Sequence, residues 1–315
     1  MTGFLARRLV GLGLTLFLAS LVVFTVLEVL PGDPALLMLG VDARPDTLAA
    51  LRAQMGLDRP APVRYLAWVG GLLDGDMGVS HTYGVPVGDL VRDRLAVTVP
   101  LAALAILLST AVALPLGMAA ASRRGRPADY GVMAFSQLGV AIPNFWFGIL
   151  LVLWLAVGLG WFDAGGFPGW SAGIGPALKA LLLPALTLGL TEAAILARIT
   201  RASILDTLGE DYVRTARAKG LGPGAVMRRH VLRNALIPIT TIVGLQFAFL
   251  LGGAIVVENV FFLPGLGRLL FQAISQRDLI VVKDVVMVMA ALVVAVNLIV
   301  DILYAVIDPR PKAAP

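Results

Sequence analysis

Six apolar runs, at about 9–30, 96–121, 131–157, 180–198, 236–257 and 285–307, constrain this chain more than any other feature of it. A helix needs roughly 20 apolar residues to cross the hydrocarbon layer, and within the uncertainty of their ends these runs are of that length. Inside lipid the backbone must satisfy its own hydrogen bonds, so the expected form of each run is a helix. Composition agrees. Only 14% of the residues are charged and 58% are hydrophobic, whereas soluble domains carry about 25% charge. The expected fold is therefore all-α, a polytopic membrane protein with six transmembrane helices. The first run follows Arg7 and Arg8 and is longer than the apolar part of a secretory leader, with no clear small-x-small cleavage site after it. It reads as a retained helix.

Basic residues set the orientation. With six spans both termini share one side. That side carries Arg7 and Arg8, Arg123, Arg124 and Arg126, Arg310 and Lys312, and the cluster Arg198, Arg201, Arg214, Arg217, Lys219, Arg228, Arg229 and Arg233. Lys and Arg collect in cytoplasmic loops, so the termini are expected in the cytoplasm. In a membrane protein the net charge of +5 is read by location, and a nucleic-acid partner is not expected.

Three organisational parts follow: 1–30, 31–95 and 96–315. The second is an external helical segment. Pro31 to Pro34 has a turn composition that ends the first helix. Asp46 is an expected N-cap for a helix carrying Leu48, Leu51 and Met55, with Gly56 closing it. A second short helix is expected through Tyr65, Leu66, Val69 and Leu73, then a turn at Asp74-Gly75-Asp76. These two carboxylates lack the remaining ligands of a calcium loop. Residues 158–178 and 258–284 read as further external segments, with Trp161 and Trp170 at headgroup level.

The loop at about 199–235, between the fourth and fifth spans, is basic and amphipathic. A first helix is expected over about 199–219, with Glu210 placed to pair with Arg214 one turn on. Gly220-Leu221-Gly222 breaks it, and Pro223 suits the first turn of a second helix. On that second helix Met227, Val231 and Ala235 share one face and Arg229 and Arg233 another. A helix–turn–helix of this kind on a membrane surface is a stiff lever for a soluble partner. A basic helix lying on anionic lipid is the plainer reading.

Here the sequence resembles a family. The run EDYVRTARAKGLGPGAVMRRHVLRNALIP is similar to the cytoplasmic coupling loop, or EAA loop, of bacterial ABC importer permeases, in the dipeptide, oligopeptide and nickel branch. The motif's central glycine falls on Gly220. Its leading Glu-Ala-Ala falls on Arg214, Thr215 and Ala216, so only the last position matches. Its closing Leu-Pro falls near Leu232-Arg233, without the proline. LPGDP at 30–34, MGLDRPAPVRYLAWVGGLLDGDMGVS at 55–80, AIPNFWFGILLV at 141–152, VFFLPGLGRLL at 260–270 and the terminal DPR at 308–310 extend the resemblance over nearly the whole chain, to the first permease type of these systems.

The resemblance implies a partner set. It comprises a homologous second permease, two ATP-binding subunits, an external solute-binding protein, a peptide substrate and the surrounding lipid. It places ATPase contact on the segment 211–221, through Asp211, Arg214, Ala216, Arg217, Gly220 and Leu221. The branch spans dipeptides, oligopeptides, nickel chelates and glutathione, and the external binding protein usually selects among them. This chain has no Gly-x-x-x-x-Gly-Lys-Ser/Thr loop, so ATP and Mg are expected on the partner subunits, with no cofactor, metal or catalytic residue here. The location implied is a bacterial cell membrane.

Polar residues inside the spans remain. Glu192 at a helix centre costs about 2.5–3.5 kcal/mol on insertion scales, so it should face the bundle, a pathway or a partner. Gln246 and Asn297 could bond between helices. Pro143-Asn144 and Pro184 mark kinks, and Asn144 joins Glu192 and Gln246 as a candidate for pathway lining or helix packing. Glu258, Asp284 and Asp301 lie near span ends and are expected to reach water. A secondary transporter or channel is the competing class, resting on Glu192 alone. An intramembrane enzyme is disfavoured, since no His-Glu-x-x-His helix, no Gly-x-Ser-x-Gly elbow and no Ser/His pairing are expected.

Overall fold

The computed structural model describes residues 2–29, 34–40 and 43–307. The turn expected at Pro31 to Asp33, and the terminal segment with Arg310 and Lys312, lie outside the described residues. Helices dominate what is described, and the one β-bridge there pairs Val79 with Pro86. Five helices are long and apolar enough to span a bilayer, or six if one bent pair counts as a span.

Contacts divide the chain into two units, Met1–Ala96 with Arg268–Val294, and Val97–Gly267 with Ala295–Pro315. The first opens with α1 (Thr2–Val29), then α2 (Pro34–Leu39), α3 (Pro45–Gln54) and α4 (Ala61–Asp74). The N-cap of α3 is Arg44, with proline in the first turn, and not Asp46. Pro45 presets the helical φ, which moves the start two residues earlier and leaves Asp46 inside the first turn, paired with Arg44 at 2.9 Å. Gly56 follows α3 at φ +66 and Gly75 follows α4 at φ +80, both closing turns in the left-handed region as expected. Helix α1 packs on α4 through Phe24, Tyr65 and Trp68, whose ring centroids lie 5.4–6.3 Å apart, and through a 2.9 Å hydrogen bond between Ser20 and Tyr65.

The second unit is built on α5 (Val87–Ser122), which enters it at Val97, then α6 (Pro127–Ala141), α7 (Asn144–Leu151), α8 (Ile174–Leu208) and α11 (Leu232–Val260). Between α7 and α8 come a π-helical turn, Val152–Gly158, and a short 3-10 turn, Trp170–Ala172. Helix α8 is the axis, packing along α6, α7 and α11. Its buried face is rich in alanine, and small residues let backbones close up where lipid offers no hydrophobic drive between helices. A Cβ on Gly189 would sit 2.8 Å from the carbonyl of Ala105, and one on Gly139 would overlap that of Ala194. The third expected span is a sharper feature than a kink. Its two halves, Pro127–Ala141 and Asn144–Gly158, meet at 104°. Pro143 cannot continue the ladder, and Ile142 takes an extended conformation.

Two carboxyls expected at water are buried. Glu258 has no exposure. It accepts a 2.6 Å hydrogen bond from Thr98, whose hydroxyl in turn accepts the Leu266 amide at 2.8 Å. Asp284, also unexposed, accepts the Trp68 indole at 2.7 Å. Such charge is costly in a membrane unless bonded, and partners far along the chain supply the bonds. Asp301 is half-buried. Residues 258–284, expected as a plain external segment, contain α12 (Leu266–Ser275) and the start of α13 (Leu279–Ile307).

Candidate functional site

The basic segment between the fourth and fifth spans folds differently in detail from the sequence expectation. Helix α8 does not stop where its apolar run stops. It continues to Leu208 as one helix of 35 residues, about 50 Å at 1.5 Å per residue. The hydrocarbon layer is only about 30 Å thick, so a span of that length must project beyond it. Gly209 ends the helix. Glu210 takes an extended conformation, and α9 (Asp211–Ala218) follows. The expected single helix over 199–219 is thus two. Glu210 sits at the N-cap, off the helical face, so Arg214 turns to Asp211 instead at 3.5 Å. With side chains 74% and 96% exposed, that pair contributes little to stability.

After α9, Gly220 takes φ +83, its amide bonded to the Arg217 carbonyl at 2.9 Å. This is the left-handed residue that commonly follows a helix, and glycine takes it without a Cβ penalty. Gly222 is extended and Pro223 opens α10 (Pro223–Val226). The expected second helix is not separate. Through a π turn at Met227–Val231 it runs into α11, giving 38 continuous residues, Pro223–Val260. The lever is therefore the protruding base of a membrane span.

Two faces of α9 differ. Val213 and Ala216 are buried in a cluster with Ile204, Val226, Val231 and Ala235. Asp211, Tyr212, Arg214, Thr215, Arg217, Ala218 and Lys219 are exposed. Among the residues singled out from sequence, Asp211, Arg214, Arg217 and Gly220 lie at the surface, Leu221 is half-buried, and Ala216 faces inward as an anchor. Met227, Val231 and Ala235 share the packed face as expected, with Arg229 and Arg233 outside. The Ser203 hydroxyl donates to the Ala235 carbonyl at 3.0 Å, joining α8 to α11. Arg201 joins α8 to α6 by a forked pair with Asp129, Nη2 lying 2.8 Å from Oδ2. Asp129 also accepts the Gly125 amide at 2.9 Å. A groove of about 680 Å³ borders α9, lined by residues that include Asp206, Glu210, Tyr212 and Asn234.

Two of the polar residues singled out within the spans meet. Gln246 on α11 donates to the backbone carbonyl of Glu192 on α8 at 2.9 Å, both buried. Asn144 opens α7 and faces α11 at Gly253, about 10 Å further along that helix. It is not part of the Glu192–Gln246 contact.

One expectation needs correction, since the sequence does carry a Gly-x-Ser-x-Gly pattern. Gly169-Trp170-Ser171-Ala172-Gly173 matches the Gly-x-Ser-x-Gly of serine hydrolases. In the fold it lies on a 3-10 turn leading into α8, without the strand that makes a nucleophile elbow. Trp170 packs on Phe167 at 5.5 Å, so the segment is an aromatic-rich turn.

Long apolar helices around a small-residue seam, with a short amphipathic helix held between the ends of two spans, define a multi-pass membrane protein. Family comparison agrees. Residues 113–313 match the binding-protein-dependent transport system inner membrane component, and residues 1–102 match the N-terminal part of such membrane components. The chain belongs to this family, the permease subunits of ABC importers.

Similar proteins include a peptide transport system permease protein of Brucella abortus (strain 2308), 40% identical over 313 residues, with 99% of each chain covered. The glutathione transport system permease protein GsiC of Salmonella typhi is 40% identical over 309 residues, covering 98% of each chain. Among solved structures, the inward-facing MetNI methionine ABC transporter has a chain that overlays with a TM-score of 0.56 and 18% identity. The match spans 70% of this chain and 96% of that one, and it supports the fold.

Proposed function

We propose that this chain is one of two permease halves of an ATP-driven importer of peptides, coupled to its motors through α9. The second half is a homologous permease. Two ATP-binding subunits lie on the side of α9, and an external binding protein delivers the solute. The Brucella and Salmonella relatives, named for peptide and glutathione transport, support short peptides as cargo. The basic-loop distribution supports cytoplasmic termini in a bacterial inner membrane.

One observation carries the coupling role. The inner face of α9 is locked to α8 and to the base of α11, while its outer face carries Arg214, Arg217 and Lys219 into solvent. A subunit that grips the outer face moves both spans with it, because packed helices shift as bodies and do not deform continuously. ATP and Mg reside on the motor subunits, and this chain contributes a lever with no bound cofactor. ATP-driven closure of the motors would draw the levers of both permeases together and switch the pathway between its two openings.

Reconstitution into liposomes tests the reading. Labelled peptide should accumulate only when both permeases, both ATPases, the binding protein and ATP are present. Uptake by the permeases alone under an ion gradient would support the competing class of secondary transporter and overturn this one.

A further inference from the structure

A cleft of about 220 Å³ within the first unit is lined by the outer end of α1, by α4 and the chain before it, and by the first turn of α13. Its charge is one-sided. Arg59, Arg64, Arg277 and Lys283 face one carboxylate, Glu28, and Glu28 is already paired with Arg64. Two polar atoms of its lining are buried and unmatched, Nε of Arg64 and Nε2 of His81. Buried polar groups are normally partnered, and it is the excess of cations over carboxylates along this lining that points to an anionic occupant.

Arg277 adds an independent observation. It holds φ +57, a conformation usually given to glycine. That is the conformation of the residue closing α12, with the Arg277 amide on the Ile274 carbonyl at 3.2 Å and the Asp278 amide on that of Ala273 at 2.9 Å, and Asp278 ties this turn to its neighbours. Its carboxylate accepts the Ser80 hydroxyl at 2.6 Å and the Thr82 amide at 3.0 Å, and it bonds the first turn of α13 through the Val281 amide at 3.4 Å. The closing turn of α12, held by these bonds, thus places an arginine in the lining of the cleft.

The level of the cleft identifies the occupant. The apolar stretch of α1 ends at Glu28 and that of α13 begins at Leu279, and both residues line the cleft. Hydrocarbon gives way to headgroups at that height. The cationic wall stands beside Phe24, Leu27 and Leu279, a mixed lining that suits a phosphate carrying glycerol better than a fully hydrated ion. We propose that the cleft binds the phosphate of an anionic phospholipid, on the face that the basic loops assign to the exterior. This site does not depend on the cargo.

Native mass spectrometry of the purified transporter in a neutral detergent, with added phosphatidylglycerol or phosphatidylcholine, tests it. The wild-type complex should retain phosphatidylglycerol in preference to phosphatidylcholine. Arg59→Glu with Arg277→Glu should cut retention about tenfold or more, while Arg44→Glu, outside the cleft, should leave it unchanged. If the double reversal fails to assemble, Arg59→Gln with Arg277→Gln serves, with a smaller loss expected. Equal retention by the cleft variants and wild type would overturn the proposal. So would displacement of the lipid by millimolar inorganic phosphate or by an acidic peptide, which would make the cleft a site for a free ion or for a protein.

Discussion

Gly220→Val is expected to reduce ATP-driven uptake by tenfold or more while leaving the isolated chain folded. Gly220 sits at φ +83 and a Cβ there would meet nothing within 4 Å. The effect is therefore one of backbone conformation, not of crowding. A β-branched residue held in the left-handed region costs about 1–3 kcal/mol, and the turn can relieve that strain by rotating. Rotation would tilt α9 against the base of α10 and misplace Arg214 and Arg217 together. Gly222→Ala is the control, since Gly222 is extended at φ −65 and tolerates a side chain. Uptake and assembly unchanged by Gly220→Val would show that the turn does not position the coupling helix.

The second large effect is on stability. Arg201→Ala should destabilise the folded transporter by about 1–3 kcal/mol, less than the cost of breaking a fully buried pair, because the Arg201 side chain is 21% exposed and water screens the charge left behind. The Asp129 side chain is 5% exposed, and without Arg201 its carboxylate keeps the Gly125 amide and the weaker attraction of Arg124. Replacing both charges by groups of similar shape, Asp129→Asn with Arg201→Met, should recover much of the loss, because no unpaired charge remains. Thermal unfolding in detergent measures both variants. A double variant no more stable than Arg201→Ala would mean that the guanidinium acts through contacts other than Asp129.

Much of this architecture is visible in the amino-acid pattern because lipid imposes a simple rule, that apolar length makes a span. The order of the spans, the turn at Gly220, Pro223 at a helix start and the packed face of Met227, Val231 and Ala235 all follow from local chemistry. What escaped depends on distant partners. Helix α8 outruns its apolar stretch because Ile204 finds a hydrophobic cluster beyond Arg198, which a hydropathy pattern does not contain. Glu258 and Asp284 are buried because Thr98 and Trp68, 160 and 216 residues away in sequence, meet them. The Glu210–Arg214 pairing failed for a local reason, since Gly209 ends one helix and turns Glu210 into the cap of the next. Asp46 lost its capping place to Arg44 because Pro45 starts α3 two residues early.

In the candidate site, spacing identified the exposed basic residues, but it did not tell Ala216 from its neighbours. Ala216 faces the cluster while Arg217 beside it faces out, a distinction that only the packing of α9 decides. The cleft at the outer end of α1 was not legible at all. Its cations come from positions 59, 64, 277 and 283 and meet only in the fold.

Photo-crosslinking from a single reactive residue at position 217, in the assembled and ATP-competent transporter, is the most direct measurement. Docking of the motor on α9 requires crosslinks from position 217 to an ATP-binding subunit, with none from position 44 at the start of α3. Crosslinks to the motor from the 123–126 turn, with position 217 silent, would contradict the role assigned to α9.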